Sequence, residues 1–437
     1  MPSYQLHEVF GVFQLNPKVT YVESDNRSIR LASYLNSGRH CLLYGPSKQG
    51  KSILRKHAFN EKQSVVIRCG NRSQVADIYT RILSELDVQA VLQSTSADTR
   101  TFSFTFKGGG KAGIPGFIQG QAELGGTVQT AHQDTTVTRT FGQGPEFLEF
   151  VVAVIKASRH QIIIEDFHYL PRQSKIDFCH DLRVFNEQEV SLVLIGVWEQ
   201  SQFLTVYNGD LDGRYEEIRL DWPDTTLNML LSLGQNALNI RFSDEIKRQV
   251  LESANGNIGL VQRMAYQICE EANVLSTVVG EPRIIDDQNY FTRTCEHICR
   301  GFASRYEQFL NVQSEKSRVY LNTARKRKTY LAVADYCVQQ AGNAFQSGIP
   351  LSNLHDYCKS LIPNLSETAL LNVLLCFDLV QSDNDLSPII ASYDPASRML
   401  TVADRQLLFY SRHGRPRRPW HYQDETGEEE IQNPTAL

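Results

Sequence analysis

Residues 42–52, LLYGPSKQGKS, constrain this chain more than any other stretch. Gly45, Gly50, Lys51 and Ser52 fill the fixed places of G-x-x-x-x-G-K-[ST]. Such a loop works only between a strand and a helix N-terminus. Its glycines let successive backbone N–H groups converge on phosphate oxygens, and the helix dipole adds positive potential. The flanks agree: HCLLY (40–44) is a short apolar run ending on Gly45, and SILRKHAFN (52–60) has helix-forming composition. The cradle Gly45, Pro46, Ser47, Lys48, Gln49, Gly50, Lys51 and Ser52 is therefore predicted to hold a nucleoside triphosphate. Lys51 would reach the β and γ phosphates and the Ser52 hydroxyl would ligate the metal, so ATP and Mg2+ are the expected cofactors.

A second acidic position on a neighbouring strand is needed to hold the hydrated metal and orient water. QIIIEDFHYL (161–170) supplies it, with three isoleucines running into Glu165 and Asp166. A β-branched run reads as a strand buried on both faces, and ligands of parallel sheets bind at the carboxyl ends of their strands. Glu165 is assigned the water-mediated Mg2+ contact and Asp166 the role of base or water-positioning group, with the exchange of the two roles left open.

GPSKQGKS, IIIEDFHYL, the later strand SLVLIGVW (191–198) and NGDLDGRYEEIRL (208–220) together resemble the AAA+ and STAND P-loop ATPases, especially the branch related to replication-origin initiators. The likeness spans about residues 21–272, and the first and second motifs also resemble those of bacterial ATP-binding proteins. It implies a P-loop NTPase αβα sandwich with a parallel sheet, a helical lid, and a C-terminal winged-helix-like domain. It also implies a polar sensor at the end of the strand after the acidic motif, where Glu199 or Gln200 would stand in. Arg214 occupies the place of an arginine that reads a neighbouring subunit's γ-phosphate, an alternative being a surface arginine paired with Asp210 or Asp212. The lid's sensor arginine would fall near Gly259 in ANGNIGLVQRMAYQ, whereas Arg263 is one helical turn later; slow turnover is therefore expected.

Roughly a hundred residues separate Lys51 from Glu165, long for neighbouring units of a doubly wound sheet. The excess, about 94–144, is rich in Gly, Thr and Ser and contains the alternating runs RTFSFTFK and TTVTRTF. These predict strands joined by glycine turns, either as a ribbon for a protein partner, a second subunit or nucleic acid, or as an inert insert. KGGGKAG within it lacks the strand-then-helix setting of a second phosphate loop.

From about residue 324 the pattern becomes three helices, ending with SETALLNVLLCFDLV (366–380), and then a hairpin turning at 394–397. The third helix carries no Lys or Arg, which opposes conventional major-groove reading. Cations lie instead at the module's edges: Arg325, Lys326, Arg327 and Lys328 before it, and Arg412, Arg415, Arg417 and Arg418 after it. They suit phosphate contacts to DNA or RNA, or a solvated linker and tail. The predicted domains are 1–222 (ATPase core), 223–312 (lid and linker), 313–414 (winged-helix-like) and 415–437 (basic, then acidic tail).

Composition narrows the setting. Over 437 residues the formal net charge is −5, so nothing global advertises nucleic acid. Nine scattered cysteines suit a reducing compartment, and no run spans a bilayer or reads as a signal peptide, so a cytoplasmic location is expected. CEHIC (295–299) has no second Cys pair nearby to complete a zinc site. The reading is an ATP-driven, self-assembling switch acting on nucleic acid. The alternative is a signalling or scaffold ATPase whose C-terminal module binds protein, with little turnover; a small-molecule kinase would need an acceptor pocket that no motif supplies.

Overall fold

The computed structural model describes residues 2–11, 19–23, 25–96, 99–106, 127–131, 134–138, 140–141, 145–198, 204–310, 320–339, 348–384, 386, 389–395 and 397–414. They form two compact units. One comprises Asp25–Gly45 and Lys51–Leu220; the other comprises Met1–Ser24, Pro46–Gly50 and Asp221–Leu437.

In the first unit, β1 (His40–Tyr44), β2 (Ser64–Arg68), β3 (Gln161–Glu165), β4 (Leu192–Ile195) and β5 (Tyr215–Arg219) make one sheet. Their order is β5-β1-β4-β3-β2, and every neighbouring pair is parallel. The residues explain that order. β1 and β4 are buried throughout and β3 nearly so, whereas β2 alternates and β5 buries only Ile218. Unbroken apolar runs fill the centre, where both faces are covered, and the mixed runs take the edges. Helices Val75–Glu85, Pro145–Ser158 and Arg172–Glu187 supply the covering side chains. Tyr79 sits among Phe147, Phe178 and Phe185 with ring centroids 6.2, 6.1 and 5.9 Å away, and its hydroxyl donates to Asp181 at 2.7 Å. Each such buried ring contributes on the order of 2 kcal/mol by leaving water.

His40 is the polar exception in β1. It is fully buried; Nδ1 accepts from the Leu192 N–H at 3.1 Å and Nε2 is 2.8 Å from the Leu182 carbonyl. Burial lowers its pKa to about 4, so it serves as a neutral link between β1, β4 and the helix Arg172–Glu187.

The alternating runs after β2 are strands. Val88–Ser96 pairs antiparallel with Thr99–Phe106, which pairs with Thr140–Phe141, and Thr127–Ala131 pairs with Asp134–Thr138. KGGGKAG lies outside the described residues.

In the second unit, helices Asp224–Leu238, Asp244–Ala254, Ile258–Glu271 and Gln288–Leu310 follow one another, with a short parallel pair of Ile240–Phe242 and Arg283–Ile285. Side-chain caps set their starts: Ser243 accepts from the Ile246 N–H and Asn257 from the Leu260 N–H. Asn239 and Asn255 end the preceding helices in the left-handed region, which asparagine tolerates. At the N-terminus, Phe10 packs so closely on Gly234 that a Cβ there would lie 2.1 Å from the ring.

Helices Ala324–Gln339, Leu351–Leu361, Glu367–Leu374 and Phe377–Asp383 then follow; Tyr330, on the first of them, has its ring centroid 4.7 Å from Phe377 and 6.3 Å from Phe309. The single helix expected over 366–380 is therefore two. At the break, the Cys376 thiol donates to the Asn372 and Val373 carbonyls and its backbone leaves the helical region, while Phe377 enters the aromatic cluster. The hairpin Ala391–Asp394 with Met399–Val402 is joined by Ile349–Pro350 into a three-stranded antiparallel sheet. Buried Gln381 ties it to the helices: its amide donates to the Phe377 and Ala391 carbonyls and accepts from Ile390 and Ala391. The last helix among the described residues is Gln406–His413.

Of nine cysteines, none forms a disulfide and eight are buried; Cys376 alone is partly exposed. No helix among the described residues is long and apolar enough to cross a membrane.

Candidate nucleotide site

Gly45 follows β1 with φ +134, and a Cβ on it would lie 2.6 Å from the Leu220 carbonyl oxygen. Only glycine fits there. Gly50 (φ +82) and Lys48 (φ +60) also take the left-handed region, curling the chain before the helix Lys51–Ala58 begins. Lys51 Nζ donates to the Gly45 carbonyl at 2.9 Å, closing the loop, and Ser52 is exposed on the helix's first turn. The site thus has a curled backbone, an ammonium and a helix N-terminus, the set that fits a polyphosphate.

The acidic pair divides sharply. Glu165 is buried at the end of β3, where it accepts from Arg55 Nε at 3.0 Å and Arg68 Nε at 3.3 Å. Both arginines are placed by regular structure: Arg55 lies one helical turn after Lys51, and Arg68 is the β2 residue in register with Glu165. Asp166 has φ +60 and is only partly buried. Burial and the neighbouring Glu165 charge raise its pKa, while Arg68 and Lys51 pull it back. One carboxylate is therefore held by two guanidinium groups, and the other is partly buried within reach of the Arg68 and Lys51 charges.

After Asp166, Phe167–Tyr169 makes one 3-10 turn. His168 Nδ1 accepts from the Val197 N–H at 3.2 Å, just past β4, and the ring lies on Tyr169 with centroids 4.0 Å apart. Burial, with the Lys51 and Lys175 charges, lowers its pKa to about 3. Glu199 and Gln200 lie outside the described residues.

Arg214 precedes β5 beside His40, five residues before Arg219, whose pair with Tyr44 borders the loop. Its guanidinium donates to Asn186 Oδ1 at 3.3 Å and lies 3.7 Å from Glu187, not beside Asp210, which pairs with Arg183.

Pro46–Gly50, the middle of the loop, belongs to the second unit and is gripped there. Gln49 is fully buried; its amide donates to the Gly256 carbonyl at 3.1 Å and accepts from the Ile258 N–H at 3.4 Å. Trp222 Nε1 donates to the Gln49 carbonyl at 3.0 Å, and Asn257 Nδ2 to the Ser47 carbonyl at 3.4 Å. The Ser47 N–H points at the Ala403 carbonyl, 3.4 Å away, and Lys48 Nζ donates to Gln406 Oε1 at 3.3 Å. Gly259 is explained by the same grip, since a Cβ there would lie 3.0 Å from the Lys48 carbonyl oxygen. Arg263 lies over the Phe302 ring, 4.8 Å from its centroid.

Of the basic residues, Arg325 donates to the Asn364 carbonyl, Arg327 to Leu321 and Arg412 to Glu252. Lys326 and Lys328 lie with Arg325 and Arg327 in the first turns of Ala324–Gln339. Arg415, Arg417 and Arg418 fall outside the described residues.

Sequence reasoning missed Arg55, Arg68, His168 and the grip on Gln49. The helical spacing from Lys51 was the available signal for Arg55. Nothing local announced the others, because their partners lie far along the chain.

A five-stranded parallel sheet with a phosphate loop after β1 and two carboxylates at the carboxyl end of β3 defines a P-loop αβα fold, resembling that of the AAA+ ATPases. The structure is similar to that of the Walker-type ATPase PABY2304 of Pyrococcus abyssi, at 13% identity and a TM-score of 0.50, covering 92% of this chain and 99% of that one. Looser likenesses are to the Aeropyrum pernix Orc1 protein in complex with DNA (12% identity, TM-score 0.41, covering 94% and 96%) and to a single-site variant of Thermotoga maritima RuvB (12%, 0.36, 87% and 92%). No protein-family model matches the sequence, and no curated protein matches it.

Proposed function

We propose that this protein is an ATP-hydrolysing switch whose C-terminal helical module responds to the state of the phosphate loop. The observation that carries this reading is the grip on the loop's middle. Ser47 offers its N–H to Ala403, and Gln49 is bonded to the turn at Gly256–Ile258. A phosphate oxygen competes with the Ala403 carbonyl for the Ser47 N–H, so nucleotide binding and the contacts at 403–406 are thermodynamically linked.

A magnesium ion bound with the nucleotide would neutralise charge on the phosphates. Ser52 and Asp166 are the groups best disposed to hold it, Asp166 through water. Glu165, first assigned the metal contact, is better suited to fixing Arg55 and Arg68 beside the site. Lys51 binds the β and γ phosphates, and Arg214 serves a neighbouring subunit, because its own loop is at the other end of β1. Slow turnover fits a lid whose nearest arginine, Arg263, rests on Phe302.

Nucleic acid is the partner class favoured by Arg325, Lys326, Arg327 and Lys328. They occupy a helix N-terminus that contains no acidic residue and whose dipole opposes them, so phosphate binding explains them better than helix stability does. The protein-binding alternative rests on the exposed Leu375 and Leu379 of a module read as winged-helix-like. A cytoplasmic setting in mobile-element, replication or defence processes suits either.

Hydrogen exchange tests the switch. A non-hydrolysable ATP analogue should raise exchange at residues 400–410 relative to ADP, and Lys51→Ala should erase the difference. Exchange there that ignores nucleotide would remove the basis for the switch and leave a constitutive ATP-binding protein. For the partner, retention on DNA that falls with salt and with charge removal at Arg325–Lys328 is expected; retention indifferent to both favours the protein-binding alternative.

A further inference from the structure

His168 holds a donor that the reading above does not use. Because Nδ1 accepts from the Val197 N–H, the ring proton sits on Nε2. Nε2 is buried and has no hydrogen-bond partner among the described residues. A buried donor left unmatched calls for an explanation, since such groups are nearly always paired. Its surroundings supply one. The turn that carries it follows Asp166 at the carboxyl end of β3, Val197 follows β4, and β4 lies between β3 and β1, whose end opens into the phosphate loop. The charges that act on the ring are the Lys51 and Lys175 ammonium groups, so its surroundings are electropositive and suit an anionic acceptor.

We propose that His168 Nε2–H donates to a terminal phosphate oxygen of bound nucleoside triphosphate, making His168 the residue that distinguishes the triphosphate from the diphosphate. The same ring grips the Val197 N–H, so contact with the phosphate is passed directly to the end of β4, the strand between the phosphate loop and the acidic pair. A neutral donor suits this role, because it adds recognition without placing another full charge beside Lys51. The proposal rests on the reading of Lys51 and its helix as the phosphate site.

The test compares calorimetric binding of ADP and of the β,γ-imido analogue of ATP, both with Mg2+. His168→Phe keeps a ring and removes both nitrogens. It is expected to weaken the analogue by about tenfold or more while ADP stays within about twofold, the range of one hydrogen bond to a charged group. His168→Gln keeps a donor and an acceptor and is expected to recover most of that loss. Equal weakening of both ligands, weakening of neither, or a Gln variant as poor as Phe would overturn the proposal. Should His168→Phe not fold, 15N-histidine NMR of the wild type decides: a His168 Nε2 resonance that shifts with the analogue and not with ADP supports it, and one that ignores the analogue overturns it. Wild type that binds ADP while failing these comparisons leaves the phosphate-site reading standing. Wild type that binds neither nucleotide overturns both.

Discussion

Glu165 and Asp166 are adjacent carboxylates with opposite surroundings, and that contrast predicts opposite mutant behaviour. Glu165→Gln removes the charge held between Arg55 and Arg68, leaving a buried guanidinium without its counter-ion, which costs roughly 3 kcal/mol. Urea unfolding should show that loss. Asp166→Asn should leave unfolding nearly unchanged and abolish phosphate release; the reverse pattern would return the metal contact to Glu165. His40 gives a pH prediction. Its folded pKa is lowered to about 4, so the unfolded chain binds the extra proton. The stability it permits is complete above about pH 6.5 and is lost as pH falls towards 4, by roughly 3 kcal/mol in all. His40→Gln should flatten that part of the urea-midpoint profile; an unchanged slope would place the acid sensitivity elsewhere. The acidic pair was legible in the sequence as a pair. The difference between its members was not, because Arg55 and Arg68 reach Glu165 from a helix and a neighbouring strand.

The elements carry a second lesson about what a sequence reveals. The strand–loop–helix around Gly45–Ser52 is legible because its constraints are local: positive φ, absence of a Cβ, an apolar run before and a helix after. Likewise, the unbroken apolar runs of β1, β3 and β4 announce central parallel strands. What the loop touches is written some two hundred residues away, in a turn that looked like a displaced sensor motif. That turn explains its own glycine, because Gly259 lets the helix Ile258–Glu271 start against the Lys48 carbonyl. Gln49→Ala should release it. Two partly buried backbone groups, the Gly256 carbonyl and the Ile258 N–H, would lose their partner at a cost of roughly 1–2 kcal/mol. Amide exchange at 256–260 should rise by about tenfold or more without loss of the parallel sheet. Unchanged protection would mean that Trp222 and Asn257 hold the loop unaided. The split of the expected helix at 366–380 was invisible for a related reason. Helical periodicity continues through Cys376, and only the pull of Phe377 into the cluster with Tyr330 and Phe309 interrupts it.

For the whole molecule, the prediction concerns assembly. Mass measured by light scattering should rise with ATP in the wild type and stay at the monomer value in Lys51→Ala and Arg214→Ala. A mass indifferent to nucleotide would leave Arg214 a structural partner of Asn186 and Glu187. Chain order is a poor guide at this scale: the N-terminal segment and the middle of the phosphate loop group with residues beyond Asp221, which no composition shift announces. The thiols have a practical consequence. Eight are shut away, and burial raises the pKa of the ninth, Cys376, without hiding it. A maleimide dye should therefore react once with the native chain and nine times in denaturant. The unmodified protein is thus a single-label molecule, with its one attachment point at the break between two helices of the C-terminal module. Movements of that module can be followed by fluorescence without removing a single cysteine.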